Sequence, residues 1–102
     1  MNFDRVFRKK EDIVTRTIGG EVFLVPIHDQ MKDSQKLYVL NPIARYIWHH
    51  LDGRQRLADI KSQLMEEFEV EHEQLQKDIF HFIQDLEKEQ LIIEAAGGED
   101  DL

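Results

Sequence analysis

The chain has no cysteine, and only two prolines, five glycines and one tryptophan among its 102 residues. Without cysteine there are no disulfides, thiol nucleophiles or thiolate-held metals. Such a composition suits a reducing compartment, and the expected location is cytoplasmic. No apolar run approaches the roughly 20 residues needed to cross a bilayer, so no membrane association is expected. The opening MNFDRVFRKKED is basic in places but leads into no apolar core, which argues against a signal peptide. A glycine-rich phosphate cradle and a nucleophile elbow are also lacking.

What is present is acidic and unevenly spread. Residues 1–51 hold eight Lys/Arg against six Asp/Glu, a net of +2, and residues 52–102 hold five against fifteen, a net of −10. This favours partners with basic patches over polyphosphates, or simply keeps a small domain soluble. A chain of this length suits one domain with one modest core.

Residues 1–11 are mixed and polar and read as an N-terminal arm. DIVTRTI (12–18) has the β-branched content of a strand, Gly19-Gly20 signals a hairpin, and EVFLVPI (21–27) is the returning strand. A polar loop, HDQMKDSQ (28–35), precedes a third strand over Lys36 to Leu40. Asn41 is a suitable N-cap and Pro42 fits the first helical position, so a helix begins at once and ends near Asp52-Gly53. A second helix carries Leu57, Ile60, Leu64 and Phe68 on one stripe. A third, about 72–90, carries Leu75, Ile79, Phe82, Ile83 and Leu86, with Val70 as a staple partner of Leu75 and Glu71 and Gln74 in loose capping-box spacing. LIIE (91–94) is a short extended end, and residues 95–102 read as a flexible acidic tail.

The expected fold is therefore α+β and winged helix-turn-helix-like: a three-stranded antiparallel sheet followed by three helices, spanning residues 12–94. The second and third strands are apolar on both faces. The extra face needs cover from the N-terminal arm, a second subunit in a homodimer, or a ligand.

Candidate chemistry is sparse. His28, His49, His50, His72 and His81 form no strong metal spacing, and His49 and His50 diverge by about 100° on a helix. No catalytic residue, metal or cofactor is expected, and the chain is read as a non-enzyme. Nucleic acid is excluded as a partner on charge. The third helix, which would be the recognition helix, holds Glu71, Glu73, Asp78, Asp85, Glu87 and Glu89 against Lys77 and Lys88, and phosphates would repel it. An acidic winged-helix protein-interaction or transcriptional regulatory module is the alternative. Peptide binding suits the sequence better, because an edge strand offers unpaired backbone groups and the third helix is apolar over a wide arc that includes Phe80.

LNPIARYIWHHLDG, LADIKSQLMEEFEV and LQKDIFHFIQDLEKEQLI, in this order, resemble the PqqD family. The resemblance is carried by Leu40-Asn41, Ala44, Ile47, Leu51, Asp52-Gly53, Asp59-Ile60, Leu64, Val70, Asp78, Phe82, Leu86 and Leu91-Ile92. It is good from 36 to 93 and looser over the first two strands. Arg56 stands where relatives often have a capping Ser or Thr, and loop 28–35 is longer than usual. The resemblance implies a chaperone for ribosomally made, modified peptides, including pyrroloquinoline quinone precursors. The leader of the precursor adds as an antiparallel strand and is presented to a modifying enzyme, often a radical S-adenosylmethionine protein. Carried onto this chain, the peptide-binding residues are Lys36, Leu37, Tyr38, Val39 and Leu40 on the strand and Ile79, Phe80, Phe82 and Ile83 on the third helix.

Overall fold

A computed structural model of the chain describes residues 2–26 and 38–95. Among these, the order is β1 (Val6–Lys9), β2 (Ile13–Ile18), β3 (Glu21–Pro26), β4 (Tyr38–Leu40), α1 (Pro42–His49), β5 (Asp52–Arg56), α2 (Leu57–Glu67), α3 (His72–Lys88) and β6 (Ile92–Glu94). The three helices and the sheet of β2, β3 and β4 lie where the periodicity puts them. The expectation of three strands followed by three helices is corrected, because a second three-stranded sheet is built from β5, β1 and β6, with β1 in the middle. The chain is thus a mixed α/β fold with strands between and after its helices, and the winged helix-turn-helix description does not capture that order.

The expected N-terminal arm is the main correction. Its Phe7 is fully buried, and β1 pairs antiparallel with both β5 and β6. The same segment finishes the start of α2, where the first helical amides lack partners within the helix. Leu57 N donates to Arg5 O at 3.0 Å and Ala58 N to Phe3 O at 2.8 Å. Arg56 leaves no deficit at this helix start. Asp59 reaches back to accept from Arg56 N at 3.0 Å and pairs with the Arg56 guanidinium at 2.9 Å.

Asp52-Gly53 does not merely end α1; it begins β5. Gly53 sits at φ +81°, and a Cβ there would come 3.3 Å from Arg8 Cβ. The glycine thus permits both the left-handed backbone and the close approach of β1, at the point where the β1–β5 register shifts. Asn41 caps α1 as expected, accepting from Ala44 N at 2.8 Å. The loose capping box at α3 does not form: Glu71 makes no side-chain cap bond, and Gln74 donates instead to Asp78.

In the other sheet β3 is central, flanked by β2 and β4. Thr15 pairs with Leu24, Thr17 with Val22, Val22 with Leu40 and Leu24 with Tyr38. These residues share the inner face, where Leu24 and Leu40 join a core of Ile47, Leu51, Leu57, Ile60, Leu64, Leu75, Ile79, Ile83 and Leu86. The outer face carries Val14, Arg16, Phe23, Val25 and Val39. The N-terminal segment does not cover this face, since it is committed to the other sheet.

Candidate functional site

Strand β4 is the edge on which the peptide-binding expectation rests. It pairs with β3 and occupies one end of its sheet, so its second side faces away from any described strand. Asn41-Pro42 follows without a loop. Because Asn41 caps α1 while Leu40 still belongs to the ladder, strand and helix are held in one geometry. Arg45 reinforces the junction, donating from Nε to Leu40 O at 3.0 Å and from Nη2 to Gly20 O at 3.3 Å.

Three of the five expected strand residues can be placed. Leu40 is anchored in the core, Tyr38 packs partly against it, and Val39 on the outer face is 55 % exposed. Lys36 and Leu37 lie outside the described residues. Tyr38 also reports what stands beside the strand. Burial raises its phenol pKa, and the carboxylates of Glu89 and Asp85 raise it further. The second half of α3 therefore runs close to β4.

The helical residues separate into three positions. Phe82 packs at the border of the core, half-buried, on the same stripe as Asp85 and Glu89. Ile79 and Ile83 have no exposed surface and belong to the core beneath the stripe. Phe80 stands apart from them. At about 100° per residue it lies roughly 160° from Phe82. It lines a different hollow with Phe3, Gln76 and Lys77. The β4 edge and Phe82 thus form the compact part of the expected site.

Charge divides along α3 in the same way. Glu87 turns toward β1 and β6 and pairs with Arg5 at 3.0 Å, while Arg5 also holds Glu94 at 2.9 Å. Lys77 and Lys88 lie roughly 120–140° from Phe82 on the wheel. Beside β4 this stripe carries Asp85, with Glu89 just past the helix end.

The described histidines have ordinary neighbours. His50 stacks on Tyr46 with ring centroids 4.2 Å apart, His49 meets His50 edge-on, and His72 Nε2 lies 2.9 Å from Lys61 Nζ. Among the described residues no group of three or more His, Asp or Glu side chains could hold a metal, and no helix is long and apolar enough to cross a membrane.

The sequence reading missed an open cleft of about 510 Å³ between the inner face of β2 and β3 and the flank of α1. Thr15, Thr17, Arg45, Tyr46, His49 and Phe68 are among its walls. The signal was the alternation of Thr15 and Thr17 with Arg16 and Ile18, which places hydroxyls on the inner face.

Comparison with known proteins finds a family model described as coenzyme PQQ synthesis protein D (PqqD), matching residues 21–92. Among solved structures, the fold is similar to that of TbiB1, described as being in complex with the TbiA(beta) leader peptide. The TM-score is 0.65 and the identity 20 %, with 92 % of this chain and 99 % of that chain covered. No curated protein matches the chain.

Proposed function

This chain belongs to the PqqD family, and on that premise we propose that it is a non-catalytic chaperone for a ribosomally made precursor peptide. The leader of the precursor adds as a strand to β4, with apolar side chains directed toward Phe82 and the neighbouring stripe of α3. The bound peptide is then presented to a modifying enzyme of the radical S-adenosylmethionine type, in the making of pyrroloquinoline quinone or a related modified peptide. The observation that carries this reading is the outward edge of β4 beside α3, held rigid by the Asn41 cap and Arg45. Preorganisation of this kind confines most of the ordering cost to the guest. The leader-peptide complex of TbiB1, which shares the fold, supports it.

The test is an amide-resolved NMR titration with the leader of the short peptide encoded beside the gene. Saturable shifts are expected on Tyr38, Val39 and Leu40 and around Phe82. Successive amides of an antiparallel strand point to opposite sides, so one of Tyr38 and Val39 directs its N–H outward. Of Tyr38→Pro and Val39→Pro, the variant that keeps the β3 ladder should lose leader binding. Absence of shifts at millimolar peptide, with the modifying enzyme also present, would sink the proposal. A dimer by sedimentation that no peptide alters would assign the outer sheet face to a structural homodimer instead.

A further inference from the structure

Among the described strands, the sheet has a second edge. Strand β2 pairs with β3 and ends the sheet on the side opposite β4, and Ile18 near its end is 63 % exposed. An open flank runs along Val14 to Ile18. Beside it lies the cleft between β2 and α1, whose volume of about 510 Å³ falls within the range of ligand sites.

The chemistry of this cleft differs from that of the protein around it. The chain carries 21 Asp and Glu in 102 residues, yet none of the eleven cleft residues is acidic. Arg45 supplies a guanidinium, His49 and His50 imidazole rings, and Thr15 and Thr17 hydroxyls. Arg45 donates to Leu40 O and Gly20 O through Nε and Nη2, and its guanidinium lines the cleft. The stacked Tyr46–His50 pair, with Phe68 edge-on to Tyr46 at 6.0 Å, gives an aromatic wall. The nearest carboxylates acting on that wall, Glu66 and Glu67, raise the Tyr46 phenol pKa after burial has done so. They belong to the far end of α2, and the Tyr46 hydroxyl is turned to Gln63 Oε1 at 3.2 Å.

We propose that this cleft is a second peptide site, in which an extended acidic–aromatic segment of a partner protein adds to the β2 edge. Side chains two apart on the guest enter together: an aromatic one against Tyr46, His50 and Phe68, and a carboxylate toward Arg45 and His49. Backbone pairing supplies length and the Arg45 contact supplies direction, since a charge-assisted bond is stronger than its neutral counterpart.

The probe is a capped synthetic nonapeptide with threonine at every second position and phenylalanine and glutamate alternating between them. Its control replaces each glutamate by lysine. In an NMR titration of the full chain, the glutamate peptide should shift amides of β2 and α1 while leaving Val39 unmoved. It should bind at least about fivefold more tightly than the lysine peptide at low salt, with the gap closing as salt rises. Arg45→Gln should erase the preference. If that variant loosens the sheet, His49→Glu places a repelling charge on the rim without touching the Arg45 bonds and should weaken the glutamate peptide by a similar factor. Equal binding of the two peptides, shifts confined to β4, or no binding by either would overturn the second site. Each result leaves the leader-binding role of β4 to its own titration.

Discussion

The two sheets are built on opposite plans. The sheet of β2, β3 and β4 comes from segments close in sequence, its strands are rich in β-branched residues, and among the described strands β2 and β4 are its edges. The sheet of β5, β1 and β6 gathers three segments from the start, middle and end of the chain, reading VFRK, DGRQR and IIE. Only some of those residues favour strands. The second sheet persists because its centre is pinned. Phe7 enters the core, Arg5 lies 4.7 Å over the Phe7 ring while bridging Glu87 and Glu94, and Lys9 donates to Trp48 O at the end of α1. The local sheet thus keeps two edge strands, while the long-range sheet closes the core.

The largest test of this contrast is truncation at the centre of each sheet. Phe7→Ala should cost about 3–5 kcal/mol, as large-to-small changes in a packed core do, and should show as a large fall in Tm. Phe23→Ala, on the outer face of the local sheet, should cost well under half as much. Comparable losses would mean that the outer face is covered in solution.

A smaller effect is expected at the glycines. Gly53→Ala combines a positive φ with a 3.3 Å approach to Arg8 Cβ, and a cost of roughly 1–3 kcal/mol is expected in denaturant unfolding. Gly19→Asn, in the open hairpin of the local sheet, should be nearly neutral, because asparagine tolerates the left-handed region and nothing lies within 4 Å of the added Cβ.

The smallest is electrostatic. The hydrogen bond and charge of Arg5 hold the Glu94 carboxyl below its usual pKa, against the opposing pull of burial. The depressed value means that this pair stabilises the fold fully above the ordinary glutamate pKa of about 4.3. Its contribution is lost as pH falls through the lower folded value. Both partners are substantially exposed, so Arg5→Ala should cost about 1 kcal/mol or less and flatten that part of the acid limb. An unchanged acid limb in Arg5→Ala would show that the pair adds nothing.

The same contrast explains what could be read from the chain. Gly19-Gly20 and the runs on either side spell a hairpin locally, and Asn41-Pro42 spells a helix start. Both are decided within a few residues, and both are present. Leu75, Ile79, Ile83 and Leu86 recur at helical spacing and are buried. VFRK gave no such sign, because a four-residue strand with one buried ring owes its form to sheet partners far away in the chain, such as Asp52 opposite Arg8. The expected site residues were legible as an edge strand and an apolar arc, and the structure places Phe82 on the stripe beside β4 and Phe80 beside Phe3, since a wide apolar arc on a helix can serve two different neighbours.

Local chemistry by itself determined the hairpin, the capped strand-to-helix junction, the three helical stripes and the acidic second half of the chain. Those features depend on φ/ψ preferences, capping and periodicity, all of which act over a few residues. Tertiary structure alone decided that the N-terminal segment is the central strand of a second sheet, that Ile79 and Ile83 are fully buried, and that a cleft without acidic residues opens between β2 and α1. Each of these depends on which distant surfaces exclude water from one another. That choice is made by the whole core and is not encoded in any one segment.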